Sequence, residues 1–288
     1  MTPSPRTRET CPANELGSPP TFSSLRLLGR AFLAIIATTT LYAADSAALL
    51  WQIGQPDGGN AEFAFAPDGY RKFREDGFFV VGRSEAQRDW PYVHPGPVDG
   101  WAGGGSHAFS VIFGMKQAGG DGTCRLKFVL LDTHSTAPPK LKVQVNERAF
   151  EQSLPNGAGD ASVNGEPAKG KRHEFQIEFP AATLKAGDNR IDITTLSGSW
   201  LLYDSLGLEV PGGIELAPVV SSTVVDAVES AHALLEKDGK LFQPVRVSLR
   251  HFGEEVDATV RVEGVEPQRV RLASRAHSLE VLLPAVAQ

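Results

Sequence analysis

Turn-forming residues interrupt this chain so often that little room is left for long helices. Twenty-nine glycines and twenty prolines are spread over 288 residues, and the apolar segments between them are short. Where a pattern is visible it has the period of a strand: Phe109, Val111 and Phe113 share one face of His107–Met115, and Leu141, Val143 and Val145 alternate with polar residues in Lys140–Val145. Phe175, Ile177 and Phe179 repeat the pattern, as do Ile191 and Ile193, while Arg125–Leu131 is a nearly continuous apolar run suited to a strand buried on both sides. Short strands are also predicted over Glu62–Phe65, Phe78–Val81, Trp200–Asp204 and Leu206–Val210. Roughly eight strands at regular spacing predict an all-β chain whose residues 50–211 form a jelly-roll β-sandwich.

Pro211-Gly-Gly213 closes that unit. Beyond it, Ala227–Leu235 reads as a short helix, and strands are expected over Pro244–Arg250, Asp257–Glu263, Gln268–Leu272 and His277–Leu283. That is fewer than the roughly seven of an immunoglobulin-like sandwich. Residues 219–288 therefore read as a partial immunoglobulin-like β domain, and the chain as a fragment of a longer protein. Residues 1–48 read as a leader. Arg26 and Arg30 precede the apolar stretch Ala31–Ala44, which has the length of a signal-peptide core and is too short to span a bilayer, and small residues follow at 43–48. The expected product is secreted or periplasmic, with no stable membrane span after leader cleavage. A net charge of -6 without a clustered Lys/Arg run argues against a nucleic-acid partner. Cys11 and Cys124 cannot build a disulfide framework.

The densest collection of binding-type side chains lies between Asp89 and His107. Pro91, Pro95 and Pro97 remove backbone donors there, and Gly96, Gly100 and the Gly103–Gly105 run loosen the chain, so a long loop is predicted. A sugar ring has an apolar C–H face and a rim of hydroxyls, so its site needs an aromatic platform beside fixed donors and acceptors. Trp90, Tyr92 and Trp101 are the candidate platforms, and His94, Asp99 and His107 the candidate hydroxyl partners. The opposite possibility is a self-packed loop with Trp90 buried. Asp132 and His134, on a second polar loop, are candidates for the same face, with turn capping as their alternative. Lys169 heads a basic triplet with Lys171 and Arg172, suited either to a uronate carboxylate or to a solvated turn.

Catalytic signatures are missing. No Gly-x-Ser-x-Gly elbow occurs, and Cys124 has no base near it in sequence. The histidines lack zinc-type spacing. No cofactor is expected and no metal ligand is assigned, although a structural calcium held by carboxylates and carbonyls would suit a jelly roll.

Six stretches, in order, carry a family likeness: Trp51-Gln-Ile-Gly54, Asp89-Trp-Pro-Tyr-Val-His-Pro-Gly-Pro97, Asp132-Thr-His134, Leu154-Pro-Asn-Gly-Ala-Gly-Asp160, Lys169-Gly-Lys171 and Gly198-Ser-Trp-Leu-Leu-Tyr-Asp204. Over about Leu50–Pro211 the chain resembles the C-terminal carbohydrate-binding-like domain, domain III, of rhamnogalacturonan lyases, polysaccharide lyase family 4. The resemblance implies a galactose-binding-like jelly roll that accompanies a catalytic domain acting on pectin. In that family the catalytic domain precedes this module, whereas here only the leader and a few residues precede Trp51, so no catalytic residue is carried over and no lyase activity is expected of this chain itself. The leading expectation is a secreted carbohydrate-binding accessory module for pectin-type polysaccharide. The front part of a larger polysaccharide lyase or glycoside hydrolase, and a structural β-sandwich that docks proteins, remain the alternatives.

Overall fold

The computed structural model describes residues 47–263 and 265–285, so the expected leader lies outside the described residues up to residue 46. Among the described residues ten strands precede Pro211: β1 (Ala48–Gly54), β2 (Phe78–Val80), β3 (Val93–His94), β4 (Ala108–Met115), β5 (Thr123–Thr133), β6 (Lys140–Val145), β7 (Arg148–Ser153), β8 (His173–Pro180), β9 (Gly187–Ser197) and β10 (Leu201–Val210). With β11 (Leu216–Ala217) they form two sheets. One has the order β1-β10-β5-β8, with the two-residue β3 also on β10. The other has the order β11-β4-β9-β6-β7, with β2 lying parallel against β4. The fold is the β-sandwich that the alternation predicts.

Burial follows the period of two. Cys124, Leu126, Phe128 and Leu130 of β5, Leu141, Val143 and Val145 of β6, and Ile191 and Ile193 of β9 are closed to solvent, as are Phe109, Val111, Phe113 and Met115 of β4. They join one continuous apolar core with Trp51, Trp90 and Tyr203. Each such side chain contributes about 1.5–3 kcal/mol through removal from water. The outward half of the alternation is polar on β6 and along most of β9, and on β4 it supplies Ser110 between Ala108 and the buried Ile112; this is the surface that matters below.

Three local expectations are revised and one strand is added. Trp200–Asp204 and Leu206–Val210 are a single strand, β10, whose register against β5 is irregular around Tyr203. Glu62–Phe65 makes only an isolated bridge, Ala64 to Pro91. β7 has no hydrophobic alternation, and it exists because β6 offers it a full antiparallel ladder from Val145–Arg148 to Lys140–Ser153. The helix expected at Ala227–Leu235 is absent. β12 (Thr223–Ser230) occupies the first four residues of that range, pairing with β14 (Lys240–His251), and its β-branched Val224, Val225 and Val228 suit the strand.

β13 (Leu235–Lys237) and β17 (Arg275–Pro284) complete this third sheet on β14, and β15 (Val256–Val260) pairs with β16 (Gln268–Leu272) in a hairpin. The third sheet is tied to the sandwich. Val219 packs with Val80 and Ile112, with Phe78, Val224 and Phe252 around them. The Arg83 guanidinium donates to the Val219 carbonyl at 2.6 Å, and the Asp188 carboxylate accepts from the Val220 and Ser221 amides. No helix among the described residues is long and apolar enough to cross a membrane.

Candidate functional site

The first part of the loop between Asp89 and His107, Trp90–Gly96, is interior, and of the rest Asp99 and His107 are buried. Asp89 ends a short helix, α1 (Ala86–Asp89). Trp90 is fully buried and packs edge-on against Phe79, Phe109 and Tyr203. Tyr92 is fully buried too, its hydroxyl donating to the Val163 carbonyl at 2.6 Å. Neither ring leaves a face for a sugar, which corrects their reading as stacking platforms: the rings fill the space between the sheets. Trp101 is half-buried, edge-on to Tyr70 at 5.0 Å and to Phe73 at 6.1 Å.

The polar residues of the loop are spent on the fold. His94 stacks on Phe109 at 3.8 Å, with Nδ1 at 3.0 Å from the Tyr203 hydroxyl and Nε2 at 3.0 Å from the His107 carbonyl. A carbonyl only accepts, so Nε2 carries the proton and Nδ1 accepts from Tyr203. Burial, partly offset by the His107 carbonyl, lowers the pKa of this imidazole to about 4. Asp99 is buried and accepts from the Gly96 amide at 2.7 Å and the Ser199 hydroxyl at 2.5 Å. A side chain at Gly96 would strike the Gly198 and Ser199 carbonyls at 2.4 and 2.5 Å, which explains the glycine at this closure. His107 is also mostly buried, with Nδ1 at 2.7 Å from Asp76 Oδ1.

The second loop follows the capping alternative. Asp132 is fully buried; Oδ1 accepts from the Thr133, Ala158 and Lys171 amides and Oδ2 from the Ser162 hydroxyl. It gathers three chain segments and is closed to a ligand. His134 Nδ1 accepts from the Thr136 and Ala137 amides, and its ring packs edge-on to Trp200. Lys169 is exposed and pairs with Glu166 at 2.6 Å on one turn. Asp204, at the end of the last family-like stretch, is buried and ties down the Gly58 amide at 3.1 Å.

A different surface has the shape and chemistry of a binding site. The outward residues of β4, β9 and β6 form the floor of a groove of about 520 Å³: Ala108 and Ser110, then Arg190, Asp192 and Thr194, then Lys142 and Gln144. Register places them in rows, Ser110 and Gln144 both opposite Asp192, and Ala108 and Lys142 both opposite Thr194. Asp76 and Phe78 line it before β4 in the chain, and Val225, Asp226 and Arg250 from the third sheet line it as well. None of the nine sequence-chosen residues lines this groove. His107 reaches it indirectly, by holding Asp76, whose Oδ2 also accepts from the Ala108 amide at 2.8 Å.

Part of the floor is a fixed network. Asp192 Oδ1 accepts from the Ser110 hydroxyl at 2.6 Å and from Arg190 Nε at 2.8 Å, and Arg190 Nη2 donates to Asp226 at 2.9 Å. Burial opposes the Arg190 charge, but the carboxylates of Asp192 and Asp226 outweigh it and raise its pKa above the ordinary value. Arg250 lies over the Phe78 ring at 4.8 Å. Lys142 and Thr194 are different. Among the described residues the Lys142 ammonium and the Thr194 hydroxyl have no protein partner, so both are available to a ligand. Fixed pairs beside uncommitted donors and acceptors suit the hydroxyls and carboxylates of a saccharide. Among the described residues no group of three or more His, Cys, Asp and Glu is arranged to hold a metal ion.

Two outcomes check these assignments. His94 is neutral in the fold, with a pKa below the ordinary value of about 6.5. Its contribution to stability is complete above about pH 6.5 and is lost as the pH falls toward about 4, because only the unfolded chain takes up the proton in that window. An NMR titration should show the His94 ring still neutral at pH 5.5; a midpoint near 6.5 would contradict the assignment. Asp132→Ala strands four donors and should lower unfolding stability by about 3 kcal/mol or more in urea, and an effect below about 1 kcal/mol would refute the organising role.

The model of one family, described as CBM-like, polysaccharide lyase family 4, domain III, matches residues 49–208. No curated protein matches the chain.

Proposed function

Because this chain belongs to the CBM-like domain III family of polysaccharide lyase family 4, we propose that it is a secreted carbohydrate-binding accessory module for pectin-type polysaccharide, with the glycan seated on the outer face of β4, β9 and β6. The family membership supports the carbohydrate-binding role. The observation that carries the location is the uncommitted Lys142 ammonium beside the Thr194 hydroxyl in a groove floored by hydrogen-bonding side chains. A galacturonate carboxylate would meet Lys142, and its hydroxyls would meet Thr194, Gln144 and the free Oδ2 edge of Asp192. Export rests on the leader pattern, Arg26 and Arg30 before the apolar stretch Ala31–Ala44 and small residues at 43–48.

A second reading is favoured by one observation. Trp90 and Tyr92 of the Asp89–His107 loop are fully buried, and the Tyr92 hydroxyl is held by the Val163 carbonyl, as a structural protein-docking sandwich would have them. Calorimetry separates the two. With an oligogalacturonate the wild-type protein should bind and Lys142→Ala should weaken binding about fivefold, the size expected for one solvent-accessible charge contact. Absence of binding to oligogalacturonate and to rhamnogalacturonan fragments by a folded protein would remove the glycan reading and leave the docking one.

A further inference from the structure

We propose that Asp226, delivered by the third sheet, sets the charge preference of the groove by occupying the Arg190 guanidinium. The inference rests on the groove being the glycan site.

β12 is not a regular strand where it meets the groove. Its register against β14 shifts between Val225, which faces Leu249, and Ala227, which faces Ser248, so Asp226 is the extra residue of a β-bulge. A bulge breaks the alternation of side chains and re-aims one of them. Val225 and Asp226, neighbours in sequence, both line the groove as a result. The Asp226 carboxylate reaches across to Arg190 Nη2 at 2.9 Å, and the same Nη2 lies 3.2 Å from the Ser110 hydroxyl. The sheet that carries Asp226 is anchored beside the groove by the apolar cluster around Val219 and by Arg250 over Phe78.

The consequence is electrostatic. Arg190 holds Asp192 through Nε and Asp226 through Nη2, so one cation is compensated by two anions. A ligand carboxylate that approached this guanidinium would meet Asp226 as a like charge, and like-charge juxtaposition suppresses the wrong partner. Arg190 and its carboxylates therefore act on uncharged hydroxyls, and Lys142 is left to receive a carboxylate. With Asp226 neutralised, Nη2 opens to a second anionic contact, and the groove turns toward more densely acidic chains.

The test compares Asp226→Asn, and Asp226→Ser should the amide disturb the bulge, with the full wild-type chain. Calorimetry would use two probes, tetragalacturonate and its methyl ester, with thermal melts to confirm folding. The readout is the ratio of affinities, free acid over ester. The ratio should rise about tenfold in Asp226→Asn, the equivalent of one new charge-assisted contact, and return to the wild-type value when Arg190→Gln is added. A ratio that rises by less than about threefold, or a rise that survives Arg190→Gln, overturns the proposal. If wild type binds neither probe, the glycan reading fails and this inference falls with it; if wild type binds both and the ratio stays fixed, only this inference falls.

Discussion

A strand closed to solvent must have every backbone donor and acceptor bonded by its neighbours, and β10 imposes that requirement on the rest of the sandwich. Leu201–Leu208 are all buried. On one edge β5 supplies partners along the strand. On the other edge β1 reaches only from Val210 to Ser205, and the start of β10 would be bare. The loop after α1 fills the gap: His94 and Val93 pair with Leu201 and Leu202, and the Tyr203 amide donates to the Tyr92 carbonyl at 2.9 Å. Once the backbone at 92–94 is fixed against β10, Trp90, Tyr92 and His94 can only point into the core.

That requirement explains why the most binding-like stretch of the sequence is scaffold. Aromatics and imidazoles on a proline- and glycine-rich loop have the composition of a ligand site, and they also have the composition of a loop folded back into an interior, where each polar tip needs a partner. Tyr203 serving His94, Ser199 serving Asp99 and Val163 serving Tyr92 are those partners. They lie 109, 100 and 71 residues away in sequence, and local composition does not report such distances. Trp101, on an outer turn, keeps partial exposure, with the Tyr70 and Phe73 rings edge-on to it.

The sandwich itself was legible. Period-two alternation in β4, β6, β8 and β9 gave both the strands and their inward residues, because a half-buried strand writes its environment directly into its sequence. The capping role open to Asp132 was legible for a similar reason, since its nearest partner is the next amide. The groove was not. Lys142, Gln144, Arg190, Asp192 and Thr194 were visible only as the polar half of each alternation, and what makes them a site is the lateral order β4-β9-β6. The misread helix at Ala227–Leu235 has a related cause: the segment is largely exposed, and its strand conformation comes from pairing with β14. The bulge that aims Asp226 belongs to that pairing.

The proposed site thus separates two tasks: the loops and β10 hold the sandwich together, while the outer face of β4, β9 and β6, bordered by the third sheet, carries the proposed glycan groove. Mapping amide perturbations by two-dimensional NMR during titration with oligogalacturonate tests this division directly. The account predicts shifts concentrated at Ser110, Lys142, Gln144, Arg190, Thr194 and Asp226, with Trp90–Asp99 unmoved. Shifts centred on the Asp89–His107 loop, with the outer sheet face silent, would contradict it.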